Sequence, residues 1–171
     1  MQNLKIKNWD KEEIKEISSL ICRNFSSYKQ SMDKEYSNPL ISGKIAVLND
    51  KIVGFILYQT LTEEAEIHLV VVENEFRKLG IGKALIVNTL AEMRKNGIKY
   101  LFLEVSESNS LAIKLYEKLG FKQIGIRENY YGKGNNGIVM MLKIETKEVK
   151  DVQRRKPKRT GKEKVPPLCN S

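Results

Sequence analysis

Histidine and cysteine are nearly missing from this 171-residue chain: His68 stands alone, and the two cysteines are Cys22 and Cys169. One histidine excludes a multi-histidine zinc site, and two thiols complete no metal cage by themselves. No metal is expected. Nor do two distant cysteines make a disulfide framework, so reduced thiols in a cytoplasmic compartment are the expectation. Long apolar runs are also lacking. The longest, Ile138–Leu142, is five residues, against the ~20 that cross a bilayer as a helix. The opening stretch MQNLKIKNWDKEE has no hydrophobic core of the kind a secretion signal needs, so neither export nor a membrane location is expected. Proline is scarce, and three of its four occurrences, Pro157, Pro166 and Pro167, fall near one end.

What the chain has in excess is positive charge, with 30 Lys and Arg against 21 Asp and Glu, a net +9. The excess is unevenly placed. Residues 146–171 hold nine cations and three anions, with no aromatic residue and no apolar period. That composition predicts a basic, disordered tail. Residues 1–145 are almost balanced, and with 41% hydrophobic residues in the chain they read as one globular domain. A body of that size buries roughly two-thirds of the surface its unfolded chain exposes, so it needs no staple.

Apolar periodicity divides the body into alternating elements. A strand is expected at Leu4–Asn8. Asp10 and Glu13 form a capping-box-like start for a helix over Lys11–Phe25, whose buried stripe is Ile14, Ile17, Leu20, Ile21 and Phe25. Residues 26–43 are polar, with a short helix around Met32–Tyr36. Strands follow at Ile45–Leu48, Ile52–Gln59 and Glu66–Val72, the first two joined at Asn49-Asp50-Lys51. Then come a helix at Lys83–Lys95, a strand at Tyr100–Val105, a helix at Ser110–Leu119, and strands at Phe121–Gly125 and Ile138–Ile144. Gly97 and Gly120 suit the left-handed caps that close the two helices. This order predicts an α/β (α+β) domain with a mixed sheet and helices on both faces. Ligands in such sheets bind where neighbouring strands part, near helix N-termini.

The strongest local motif is Arg77-Lys78-Leu79-Gly80-Ile81-Gly82-Lys83, between a strand and a helix. Its glycines permit a tight turn, and the helix start leaves N–H groups unpaired, which together cradle a phosphate. It is neither a Walker loop nor a dinucleotide fingerprint, since no Gly-Lys-Ser/Thr closes it and Leu85 holds the third glycine position. Read by itself it is equally an ordinary strand-to-helix turn.

Joined to its surroundings, the motif resembles the acetyl-CoA signature of the GNAT superfamily of N-acetyltransferases. The later segments Leu103-Glu104-Val105, Asn109, Ala112, Leu115-Tyr116-Glu117 and Leu119-Gly120-Phe121 resemble the family's second half at matching spacing. Within the family, the run LEVSESNSLAIKLYEKLGFKQIGIRENYY is most similar to RimI-type ribosomal-protein alanine acetyltransferases and their N-terminal acetyltransferase relatives. The resemblance implies a mostly antiparallel central sheet. It implies that the backbone of Arg77, Lys78, Leu79, Gly80, Ile81, Gly82 and Lys83 holds the pyrophosphate of acetyl-CoA. Val70, Val71 and Val72 would line its pantetheine arm, and Asn109 would contact it. Glu104 takes the place of the general base, Tyr116 that of the acid toward the departing thiolate, and Tyr130 and Tyr131 that of a clamp on the acceptor. Two stretches depart from the relatives: Gly132-Lys133-Gly134-Asn135-Asn136-Gly137 replaces an acidic pair and alanine, and residues 26–43 lack the usual substrate-loop pattern.

The chemistry is consistent with those residue types. Acyl transfer from a thioester needs a neutral amine, hence a base. The developing oxyanion needs donors such as a strand N–H at Val71 or Val72. A phenol that must stay protonated predicts a high-pH limb in the rate. Taken singly, Glu104 also reads as a strand-edge carboxylate paired with a lysine, Tyr116 as a core tyrosine, and Cys22 as core packing. His68 shares numerical parity with Val70 and Val72 and is an alternative base. The acceptor expected is a protein N-terminus, possibly ribosomal, with a polyamine, amino sugar or amino acid as the alternative. A basic nucleic-acid module is a third reading, prompted by residues 146–171, which could also give weak RNA or ribosome contact; the body offers no recognition helix. Truncation after Glu145 is expected to leave the thermal midpoint and acetyl-CoA binding unchanged, checked by calorimetry; loss of the folding transition would move the domain boundary.

Overall fold

A computed structural model describes residues 3–25 and 32–145. The expected tail at 146–171 lies outside the described residues. Seven strands form one sheet: β1 Leu4–Asn8, β2 Ile41–Leu48, β3 Lys51–Leu61, β4 Glu64–Val72, β5 Tyr100–Ser106, β6 Lys122–Arg127 and β7 Gly137–Lys143. The helices are α1 Ile14–Asn24, α2 Met32–Ser37, α3 Ile81–Lys95 and α4 Ser110–Lys118. Strand order is β1-β2-β3-β4-β5-β7-β6, antiparallel throughout apart from the parallel pair β4/β5.

Local chemistry explains the elements. The capping box at Asp10 and Glu13 is present, with the Asp10 N–H donating to Glu13 Oε2 at 2.8 Å, and it opens a short 3-10 turn that leads into α1. Ile14, Ile17, Leu20 and Ile21 are buried as their spacing requires. Phe25 is not part of that stripe: the helix ends at Asn24, and Phe25 turns out to an extended, exposed position. Asn49 and Asp50 both take left-handed φ in the β2–β3 hairpin, the conformation such a tight turn demands.

Two cores lie on opposite faces of the sheet. One packs α1 and Met32 of α2 against Ile45, Phe55, Leu57, Leu69 and Val71. The other packs α3, with Tyr116 of α4, against Ile56, Ala65, Ile67, Leu101, Leu103 and Met140. A bulge in β4 reverses the sides of that strand: Leu57 of β3 pairs with Leu69, but the next residue, Tyr58, pairs with Ile67, leaving His68 extra. Before the bulge Ala65 and Ile67 face the α3 core; after it Val70 and Val72 do, while Leu69 and Val71 face α1. Numerical parity therefore does not place His68 with Val70 and Val72. It is the unpaired residue itself, with Nε2 3.9 Å from Glu66 Oε2.

α3 is held to the sheet by a buried polar group. The Lys44 ammonium, 4% exposed, donates to Asn8 Oδ1 at 2.7 Å and Glu92 Oε2 at 2.6 Å, and the Tyr58 hydroxyl donates to Glu92 Oε1 at 3.0 Å. Burial and then the Glu92 charge push the Tyr58 phenol up. For Glu92, burial raises the pKa, but the Lys44 and Tyr58 hydrogen bonds outweigh it and hold the carboxyl below its ordinary range. A lowered carboxyl pKa contributes stability above the ordinary value, lost as pH falls through the folded value. Glu92→Ala strands the Lys44 charge. We expect it to destabilise by about 3 kcal/mol, the low end for a broken buried pair because Glu92 is partly exposed, and to flatten the acid side of the stability profile. Urea unfolding between pH 3 and 7 checks both.

Candidate active site

The β4/β5 ladder runs from Glu64–Tyr100 to Ile67–Leu103 and stops. β4 continues to Val72 and β5 to Ser106 without bonding one another. The residues next after the last pair are His68 on one strand and Glu104 on the other. Past that point β4 bonds only β3, so the backbone of Val70, Val71 and Val72 has no partner strand on its β5 side.

The glycine turn closes one end of this opening. Lys78 and Gly80 both take left-handed φ, +63° and +81°, and Gly80 caps α3. The Arg77 N–H donates to Asn74 and the Ala84 N–H to Gly80. Among the described residues, the six amides between them, Lys78 to Lys83, donate to no protein acceptor. They face outward at a helix start, where the macrodipole adds positive character. The Arg77 side chain points the other way: Nε donates to the Val72 carbonyl at 3.1 Å and Nη2 to Asn24 Oδ1 at 2.8 Å. Arg23 and Glu73 pair beside it, so the turn is strapped to α1. A β-carbon on Gly82 would lie 3.7 Å from Val72 and 3.9 Å from Leu115. The absent side chain of Gly82 thus keeps open the space between β4 and α4. Asn109 caps α4, its Oδ1 accepting from the Ala112 N–H at 3.2 Å.

The other side of the opening is polar and aromatic. Leu101, Leu103 and Val105 of β5 face the α3 core, so Glu104 projects from the opposite face. Arg127 Nη1 donates to Glu104 Oε1 at 2.5 Å, and its guanidinium carbon stands 3.9 Å over the Tyr130 ring. The pairing follows from register: Glu104 opposes Val139 and Arg127 opposes Gly137 on the intervening β7. A hydrogen bond to Glu104, then burial, pushes the Tyr130 phenol up. Tyr131 meets Tyr130 edge-on at 5.0 Å. Tyr116, 8% exposed, is pushed up to about 12 by burial first and by Tyr131 second. Tyr130 and Tyr131 thus stand together with Arg127 and Glu104, while Tyr116 packs in the α3 core on the other face of the sheet. A half-open concavity of about 90 Å³ is lined by Gln59, Leu61, Glu64, Ala65, Glu66 and Phe102, and holds little more than a few waters.

The Acetyltransferase (GNAT) family profile matches residues 6–121. The chain belongs to the GNAT acetyltransferase family. An alanine N-acetyltransferase for ribosomal protein bS18 from Haemophilus influenzae is 33% identical over 125 residues, covering 73% of this chain and 82% of that protein. The crystal structure of the ribosomal-protein-S18-alanine N-acetyltransferase from Escherichia coli superimposes with a TM-score of 0.77 at 26% identity, over 86% of this chain and 98% of that one. A GNAT acetyltransferase from Elizabethkingia anophelis with acetyl-CoA bound shares the fold, with a TM-score of 0.72 at 20% identity, over 84% of this chain and 99% of that one.

This GNAT chain is an acetyl-CoA-dependent N-acetyltransferase. Its residues fit that cosubstrate: six unpaired amides for a pyrophosphate, an unpartnered strand edge, and the gap that Gly82 preserves. No helix among the described residues is long and apolar enough to cross a membrane, and none of their His, Cys, Asp and Glu groups makes a metal-binding cluster. Arg127 was not singled out in the sequence, because its partner lies across an intervening strand and no local spacing announces such a pair. Gly82→Val should keep the fold, since the β-carbon meets only ordinary contacts, yet weaken acetyl-CoA binding about ten-fold or more by filling the gap. Arg77→Ala should weaken it less. Calorimetric titration checks the ranking.

Proposed function

We propose that the chain acetylates the N-terminal α-amine of a protein, with a ribosomal protein beginning in alanine as the substrate class. The carrying observation is that Arg127 joins the Tyr130–Tyr131 pair to Glu104, the residue that follows the last β4/β5 pairing. Two aromatic faces beside a carboxylate suit the first residues of a peptide entering amine first. The printed activity of the Haemophilus relative supports the same reading.

Bound between β4 and β5, acetyl-CoA supplies the activated carbonyl that an amine attacks. Glu104 takes the proton from the ammonium, directly or through water. Arg127 fixes the carboxylate by a hydrogen bond and is itself stacked on the Tyr130 ring. His68 is not assigned this role, since it stands at the bulge beside Glu66. The strand N–H groups at Val71 or Val72 donate to the developing oxyanion. Tyr116 gives its proton to the departing sulfur. With a pKa about 12 it remains a phenol over the whole working range, so the high-pH limb expected from the sequence lies above pH 10. Residues 146–171, with their surplus of Lys and Arg, support a loose contact with RNA near such a substrate.

Glu104→Gln should lower kcat roughly 10²–10⁴-fold while acetyl-CoA affinity holds. Tyr116→Phe should lower kcat and leave the shape of the pH–rate profile unchanged from pH 6 to 10. Radiolabelled acetyl transfer compares an alanine-starting peptide, the same peptide N-terminally blocked, and a polyamine. Only the first should be labelled efficiently. A higher kcat/KM for the polyamine would replace this reading with a small-amine acetyltransferase.

A further inference from the structure

The connection between β6 and β7 is the least regular part of the site, yet its three asparagines are tied into one hydrogen-bonded network. Glu107 follows β5 directly. Its Oε1 accepts from the Asn136 N–H at 2.8 Å and its Oε2 from Asn136 Nδ2 at 3.0 Å, while the Glu107 N–H donates to the Asn136 carbonyl at 2.9 Å. Asn136 Oδ1 then accepts from the Asn129 N–H at 2.9 Å, and Asn129 Oδ1 accepts from the Gly134 N–H at 2.7 Å. Asn129 takes a left-handed φ of +54°, which asparagine tolerates. On the inner side, Ser106 Oγ donates to Asn135 Oδ1 at 2.7 Å, and the Tyr131 N–H donates to the Asn135 carbonyl at 3.1 Å.

Tyr130 and Tyr131 follow Asn129 directly in the chain. Both rings are near half exposed, so packing alone does not fix them. Their backbone is fixed instead by the chain Glu107–Asn136–Asn129 before them and Asn135 after them. Gly137 completes the seat: a β-carbon there would lie 3.1 Å from the Tyr130 ring. Asn135 and Asn136 belong to the Gly132–Gly137 stretch, and Asn129 directly precedes the tyrosine pair.

The geometry points to Glu107 and Asn136 as a positioning pair that sets Tyr130 and Tyr131 for the acceptor, an inference that rests on the acceptor reading of those tyrosines. Glu107 touches no reacting atom. Its two oxygens serve one asparagine, and that asparagine holds the residue preceding the clamp. A surface carboxylate with a purely solvating role would not meet two groups of one partner while its own backbone bonds a third.

The test uses the full chain, an alanine-starting peptide and acetyl-CoA. Glu107→Gln turns an acceptor into a donor facing Asn136 Nδ2. Asn136→Asp sets a second carboxylate against Glu107. Each single variant should raise the peptide KM about ten-fold, the size expected when a charged hydrogen bond is lost, with acetyl-CoA KM and thermal midpoint unchanged. Combining Glu107→Gln with Asn136→Asp restores the side-chain bond with donor and acceptor exchanged, leaves the two backbone N–H groups their acceptors, and should return the peptide KM to within about three-fold of the original, since the coupling lies in the pair. Equal loss in acetyl-CoA KM, a lowered midpoint, or no rescue in the double variant overturns the positioning role. Tyr130→Ala, measured alongside, separates the two readings. If it leaves the peptide KM unchanged, the acceptor reading itself fails; if it raises KM while the Glu107 and Asn136 variants do not, only the positioning inference fails.

Discussion

Past Ile67 and Leu103 the neighbouring strands β4 and β5 share no hydrogen bonds, and the functional features of the chain are arranged around that gap. A sheet interior that stops pairing leaves backbone donors and acceptors unmet, which is costly unless something else satisfies them. Here a thioester cosubstrate with an amide-bearing arm can do so. The bulge at His68 sits where the parting begins, and it turns Val70 and Val72 toward α3 and α4 at that level. One extra residue in one strand therefore decides which side chains line the gap.

The two ends of the opening solve different electrostatic problems. At the glycine turn, charge recognition belongs to the main chain, and the arginine that looks made for a phosphate is spent on Val72 and Asn24. At the other end, side chains govern. Glu104 is gripped at one oxygen by Arg127, whose guanidinium also stacks on Tyr130. Tyr116, pushed up to about 12 by burial, holds its proton as a hydrogen-bond donor. Under the proposed roles, a carboxylate base and a phenol acid allow direct transfer without a covalent enzyme intermediate.

Much of this was legible in the sequence because it is local. The capping box at Asp10, the Asn49-Asp50 turn and the Gly80–Gly82 turn each depend on residues a few positions apart. The order of strands and helices followed from periodicity, and the family resemblance brought Glu104, Tyr116, Tyr130 and Tyr131 together. What escaped was non-local or broke the period. The bulge at His68 is invisible to a parity count. Arg127 meets Glu104 only through the register of β7. Glu107 meets Asn136 across a loop, with an ordinary surface residue on one side and a glycine-rich stretch on the other. Phe25 continued the apolar period of α1 but lies one residue beyond its end.

Amide hydrogen exchange with and without coenzyme A tests the central claim most directly, because it reads the backbone groups that the parted strands and the glycine turn leave unpaired. The account predicts fast exchange at Lys78 to Lys83 in the free protein and strong slowing there and at Val70 to Val72 once coenzyme A is bound, with β1, β2 and β7 unaffected. Slowing confined to other segments, or none at all under saturating coenzyme A, would contradict it.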